Sequence, residues 1–169
     1  DGQSRGEPGE ENILSFEQFA LVALVKTYNT NQQVSDSAGT ATAIHSGVKT
    51  RAGVIAVGPT AKRGSCEEAL TNLLPTVAEI AKEKGMGVGI VTTTRLTHAT
   101  PATLYAHSAE RNWENDRFLS DAARQQGCQD IAHQLIEFKI GGGLDVAMGG
   151  GRQEFVGPDL GGLRRNGSD

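Results

Sequence analysis

The run Asp36-Ser37-Ala38-Gly39-Thr40-Ala41-Thr42-Ala43 puts a carboxylate and a hydroxyl at the head of a stretch of small residues that ends at Gly47. Such a stretch predicts a short, closely packed helix from Ala38 to Ser46, with Gly47 near its C-terminal end. The helix N-terminus offers unpaired backbone N–H groups and the positive end of a dipole, a setting for a phosphate or another oxyanion. A serine hydroxyl placed there becomes a nucleophile once its proton is removed. The plainer role is capping, in which Asp36 or Ser37 simply accepts a backbone N–H. Other signatures are missing. Position 35 is Ser, so there is no Gly-x-Ser-x-Gly elbow, and Gly47-Val48-Lys49-Thr50 is not a Walker loop. Gly85-Met86-Gly87-Val88-Gly89 lacks the dinucleotide-binding spacing and reads as a helix stop leading into a strand. Taken alone, Thr100 before Pro101 suits a helix cap and Arg111 an ordinary surface arginine. His98, His107 and His133 lack the spacing of a ligand cluster, and His45 is assigned no role.

Several elements must hold these residues in place. Residues 1–12 are polar with Gly2, Gly6, Pro8 and Gly9, and read as a solvated arm or loop. Residues 20–28 suit a strand better than a short helix, and residues 53–58 a short strand or extended loop. Thr76 and Glu79 have capping-box spacing, so a helix is expected over 76–84, with Val77, Ile80 and Ala81 on its apolar face and Gly85 stopping it. A buried strand is expected next, from Val88 to Thr93. Helices are expected over Pro101–His107 and Ile131–Phe138, and a last strand over Leu144–Met148. Helices alternating with apolar strands indicate an α/β class with a largely parallel sheet. The tail, 156–169, is glycine-rich and polar.

Composition narrows the classes. The chain has 169 residues, 37% of them hydrophobic and 21% charged, which is enough for a core and argues against wholesale disorder. The formal net charge is −4, and the basic clusters are only the pairs Lys62-Arg63 and Arg164-Arg165. A nucleic-acid partner or an anionic membrane surface is therefore not expected. The apolar run Ala20–Val25 is far shorter than the ~20 residues that span a bilayer. Cys66 and Cys128 cannot form a zinc ribbon or a Cys-x-x-Cys pair. They are either two buried thiols or one disulfide of an exported protein.

Four ordered blocks and a glycine turn point to a family. Val34-Ser35-Asp36-Ser37-Ala38-Gly39-Thr40-Ala41-Thr42-Ala43, with Gly47-Val48-Lys49 just beyond it, resembles the nucleophile motif of the alkaline phosphatases. The blocks Val91–Pro101, Tyr105–His107 with Arg111–Trp113, and Gly127–Ala132 match in the same order, as does the Gly149–Arg152 turn. The resemblance is to a bacterial-type alkaline phosphatase, as a partial chain, and covers about residues 13–155. It implies part of a three-layer α/β/α sandwich with a mostly parallel central sheet.

The resemblance also implies a phosphomonoester hydrolase with two zinc ions and one magnesium. Ser37 matches the serine that attacks phosphorus and becomes a phosphoseryl intermediate. In the family, zinc lowers the hydroxyl pKa, so no histidine base is needed. Arg111 matches the arginine that clamps phosphate oxygens with its planar fork. Asp36 matches the aspartate that orients this arginine. Thr100 matches the hydroxyl ligand of magnesium, and His98 a residue that tunes the magnesium site. Cys66 and Cys128 resemble the positions of a disulfide seen in part of the family. Export to the periplasm or cell exterior is implied, with any membrane attachment through a part not present here, and so is a homodimer.

Departures from the pattern matter too. Ser35 stands where proline is common. The Asp-Gly-x-Gly segment with the first metal aspartate should lie upstream. Asp1-Gly2 is not that segment, because Gln3-Ser4-Arg5-Gly6 matches the helix and loop beyond it. The magnesium glutamate, the Asp-x-x-x-His zinc pair, the Asp-His pair and the last histidine are absent. Ser37 and Thr100 offer only hydroxyls, which cannot hold two zinc ions. The chain therefore reads as the nucleophile half of a longer enzyme, with little activity alone. The alternative is a non-catalytic phosphate-binding domain. A sulfatase-like or phosphodiesterase relative is disfavoured by the Thr100 and Arg111 blocks.

Overall fold

A computed structural model describes residues 12–165 together with Ser4, Gly6 and Gly9. The polar arm expected over 1–12 therefore lies largely outside the described residues, as does the end of the tail. The elements are α1 (Ser37–Ser46), α2 (Cys66–Leu70), α3 (Val77–Glu83), β1 (Gly89–Arg95), α4 (Ala99–Ala102), α5 (Asp121–Gln125), α6 (Ile131–Glu137) and β2 (Val146–Gly150). Short 3₁₀ turns lie at Ser15–Gln18, Ile140–Gly142, Arg152–Glu154 and Pro158–Leu160. The class is α/β. β1 and β2 pair in parallel, with Gly89 opposite Val146 and Val91 opposite Met148.

Local sequence accounts for the helix ends. Asp36 caps α1 by accepting the Gly39 N–H, and Gly47 ends it in the left-handed region at φ 75°. Thr76 and Glu79 cap α3 reciprocally. Asp130 caps α6 by accepting the His133 N–H.

The core has two clusters separated by the fully buried segment 54–57. Ile55 and Ala56 join Ala38, Ile90, Ala99, Ala102, Tyr105 and Ile131 on one side. Val54 and Val57 join Ala61, Trp113, Leu119 and the Cys66–Cys128 disulfide on the other. The segment belongs to no sheet, bends at Ala56, where φ is 46°, and is held by bridges from Ile55 to Ser108 and from Val57 to Leu73. Each fully buried isoleucine or valine contributes about 1.5–3 kcal/mol.

Four expectations need correction. Residues 20–28 form no strand. Leu21, Val22, Leu24 and Val25 are exposed, Leu24 completely, because no described segment pairs with them. The β1 strand exists, but only Ile90 in it is buried, since a two-stranded sheet covers little of either face. In α3 the expected apolar face is turned out: Val77 and Ile80 are exposed while Ala78 and Lys82 are buried. The helix expected over Pro101–His107 is the single turn α4, which starts before Pro101 and continues as tight turns at Leu104 and Tyr105. No helix of the described residues is long and apolar enough to cross a membrane.

Candidate active site

Because Asp36 is the cap of α1, Ser37 is left as the first helical residue. Its hydroxyl has no hydrogen-bond partner among the described residues. Ser37 lines a cleft of roughly 330 Å³ with Asp36, Thr40, Ala41, Ile44 and Thr100. Thr100 reaches this cleft from α4, which packs across α1.

The Asp36 carboxylate joins four parts of the chain. Its Oδ1 accepts from Asn29 Nδ2 at 2.9 Å and from the Gly39 N–H at 3.0 Å. Its Oδ2 accepts from the Gly53 N–H at 2.9 Å and from Arg111 Nη1 at 3.0 Å. Burial pushes the acid up, but these donors outweigh it and hold the carboxyl below its ordinary value. Gly53 acts twice, since its carbonyl accepts the Arg111 backbone N–H at 2.8 Å. It stands at φ 82°, and a Cβ there would fall 2.3 Å from Arg63 Nε. Arg63 is itself fixed by a two-pronged bridge to Glu110, at 2.6 and 2.7 Å.

The other face of Arg111 meets His98, with Nη2 donating to His98 Nε2 at 3.2 Å. A guanidinium has no acceptor, so His98 must present the Nε2 lone pair and carry its proton on Nδ1. Burial, then the charges of Arg111 and Arg95, lower the His98 pKa and keep it neutral. Its Nδ1 is buried with no partner among the described residues. The turn carrying His98 is held on three sides. Glu114 takes two bonds from Arg95 at 2.7 Å and one from Thr97 Oγ1 at 2.6 Å, while Tyr105 Oη donates to the Leu96 carbonyl at 2.8 Å.

Ser37, Asp36, Thr100, Arg111 and His98 thus come together, although they span 75 residues of sequence. Sequence reasoning missed Asn29, Gly53, Arg63 and Glu110. Only a glycine opening an apolar run and an acid beside Arg111 hinted at them. A cationic fork oriented by a carboxylate, beside a helix N-terminus and an unengaged hydroxyl, can hold an oxyanion against a nucleophile. It cannot hold zinc by itself. Among the described residues no three His, Cys, Asp or Glu side chains gather as metal ligands. The cleft offers the hydroxyls of Ser35, Ser37, Thr40 and Thr100 and a carboxylate already filled by four donors.

An α/β framework that sets a serine at a helix N-terminus, beside an aspartate that holds an arginine, defines a class suited to phosphate-ester chemistry. The alkaline phosphatase family model matches residues 1–167, and the chain belongs to that family. It is 49% identical over 152 residues to human tissue-nonspecific alkaline phosphatase, covering 90% of this chain and 29% of that protein. Against the membrane-bound alkaline phosphatase of Bombyx mori it is 48% identical over 158 residues, covering 92% and 29%. The chain thus spans about 29% of the length of these curated relatives. The alkaline phosphatase of the Antarctic bacterium TAB5 superposes with a TM-score of 0.62 at 28% identity, over 87% of this chain and 35% of that one. The Thermus thermophilus enzyme superposes with a TM-score of 0.56 at 32% identity, over 78% and 22%.

Proposed function

We propose that this segment supplies the nucleophile and the phosphate clamp of a metal-dependent phosphomonoester hydrolase. The observation that carries the reading is the Asp36 carboxylate, which ties the N-terminus of α1, Gly53 and Arg111 into one unit. Arg111 would grip two non-bridging phosphate oxygens while Ser37 Oγ attacks phosphorus. The P–O bond to the alcohol breaks, the alcohol leaves with a proton, and a phosphoserine remains. Water then releases inorganic phosphate and restores the serine. Thr100 and His98 would contribute to a magnesium site. Zinc would supply positive charge at the reacting oxygens, and both metals would be held mostly by residues outside this chain. A mutant of the TAB5 relative carries magnesium at a site designated M3, which supports a metal-dependent reading. Phosphomonoesters are the proposed substrates, with a homodimer as the assembly. Export is the proposed location, supported by the membrane-bound relative.

A second reading is a phosphate-binding module without catalysis, which needs only the N-terminus of α1 and the Asp36–Arg111 pair. The two are separated by hydrolysis of p-nitrophenyl phosphate by the full-length protein with zinc and magnesium, then acid quenching and mass spectrometry. The hydrolase reading expects turnover and phosphate on Ser37, both lost in Ser37→Ala. Phosphate binding with neither turnover nor labelling would establish the module instead.

A further inference from the structure

The interface between α1 and α4 sets how far Ser37 stands from Thr100. It is built from small side chains. Ala38 and Ala41 on α1 and Ala99, Pro101 and Ala102 on α4 are all buried. Such a surface permits close approach, but it lacks the large interlocking side chains that fix helix register. Register must then come from directional contacts.

One such contact crosses the interface. His45, in the last turn of α1, places Nδ1 2.7 Å from Thr103 Oγ1. The Thr103 hydroxyl is completely buried and donates its only proton to the Thr100 carbonyl at 2.9 Å. Both bonds can exist only if His45 carries its proton on Nδ1 and donates it. The chain His45 Nδ1–H, Thr103 Oγ1–H, Thr100 C=O therefore has one direction, beginning on the helix of Ser37 and ending on the residue across the cleft. His45 also lines, with Ile90, Thr92, Thr100 and Leu104, a second cleft of roughly 230 Å³ behind α4.

We propose that His45 is a positioning residue for the reaction, holding the Thr100 turn at a fixed distance from Ser37 through Thr103. The proposal rests on the hydrolase reading above. It separates function from stability. Loss of the imidazole leaves the Thr103 proton still satisfied by Thr100, so the fold loses little. The Thr100 turn, however, loses its tie to α1, and small misplacements of reacting groups lower rates steeply.

The test uses the full-length enzyme and p-nitrophenyl phosphate. His45→Leu keeps the side-chain bulk and removes the donor, while His45→Asn keeps an N–H near the position of Nδ1. His45→Leu is expected to lower kcat about tenfold with the phosphate inhibition constant within about twofold, since Arg111 and Asp36 are untouched. His45→Asn should recover most of that loss. In Thr103→Val, adding His45→Leu should have no further effect, because the two act through one bond. Unchanged kcat in His45→Leu, equal defects in Leu and Asn, or additive defects with Thr103→Val would each overturn the proposal while leaving the hydrolase reading intact. A wild-type enzyme without turnover would overturn both.

Discussion

Gly53→Ala tests the packing beneath the Arg111–Asp36 pair. The backbone at residue 53 is left-handed, at φ 82°, and an L-residue there is strained by about 1–2 kcal/mol. The new methyl would also stand 2.3 Å from Arg63 Nε and 2.5 Å from its Cδ and Cζ. Arg63 cannot swing away without breaking its bridge to Glu110. That bridge is substantially exposed on the arginine side and contributes about 0.5–1 kcal/mol. Crowding adds about 1 kcal/mol more. The expected loss is about 3 kcal/mol in the wild-type background, but only about 1–2 kcal/mol when Arg63→Ala has already removed the obstacle. Urea midpoints at unchanged slope, for the two single variants and the double variant of the full-length protein, measure this coupling. Additive losses, with no coupling between the two sites, would refute the argument that Arg63 packs on Gly53. The inhibition constant for phosphate should rise in Gly53→Ala, because residue 53 holds both Asp36 and the Arg111 backbone.

Three further outcomes rest on other contacts. Asp36→Ala should be less stable than Asp36→Asn by about 1 kcal/mol in thermal or urea unfolding, because asparagine still caps α1; equal stability would show that the cap is unimportant. Reducing the Cys66–Cys128 disulfide, whose cysteines are 62 residues apart, should lower unfolding stability by about 4 kcal/mol on the chain-entropy estimate. Thermal scans with and without reductant check this, and coincident scans would contradict it. The half-buried Glu79–His107 pair, at 3.0 Å, should stabilise the fold most in mildly acidic solution. Burial pushes His107 down, but Glu79 and the Ala56 carbonyl outweigh it and raise its pKa above the ordinary 6.5. Burial pushes Glu79 up, but His107 and the Thr76 N–H hold it below 4.5. The His107 contribution is complete below 6.5 and is lost as pH rises through its raised value, while that of Glu79 is complete above 4.5 and is lost as pH falls through its lowered value. Glu79→Gln should therefore lower the melting temperature most between pH 4.5 and 6.5, and less at alkaline pH.

Features that rest on local hydrogen bonding are legible in the amino-acid order alone. Asp36 three residues before Gly39, Thr76 three before Glu79, and glycines at 47 and 85 specify helix ends, because a cap is made within four residues of chain. The alternation of helix and apolar strand indicated the parallel α/β class, and the ordered blocks around Ser37, Thr100 and Arg111 pointed to the alkaline phosphatases. What depends on partners distant in the chain was not legible. The 20–28 run and the outer face of α3 carry apolar residues whose burial depends on whatever packs beside them, and periodicity cannot report a neighbour. Packing in three dimensions sets Gly53 and Arg63 behind the arginine, turns the Nε2 lone pair of His98 to Arg111, and lets His45 tie α1 to the Thr100 turn. Each is a directional contact between segments far apart in sequence, and only packing sets the distance at which donor meets acceptor.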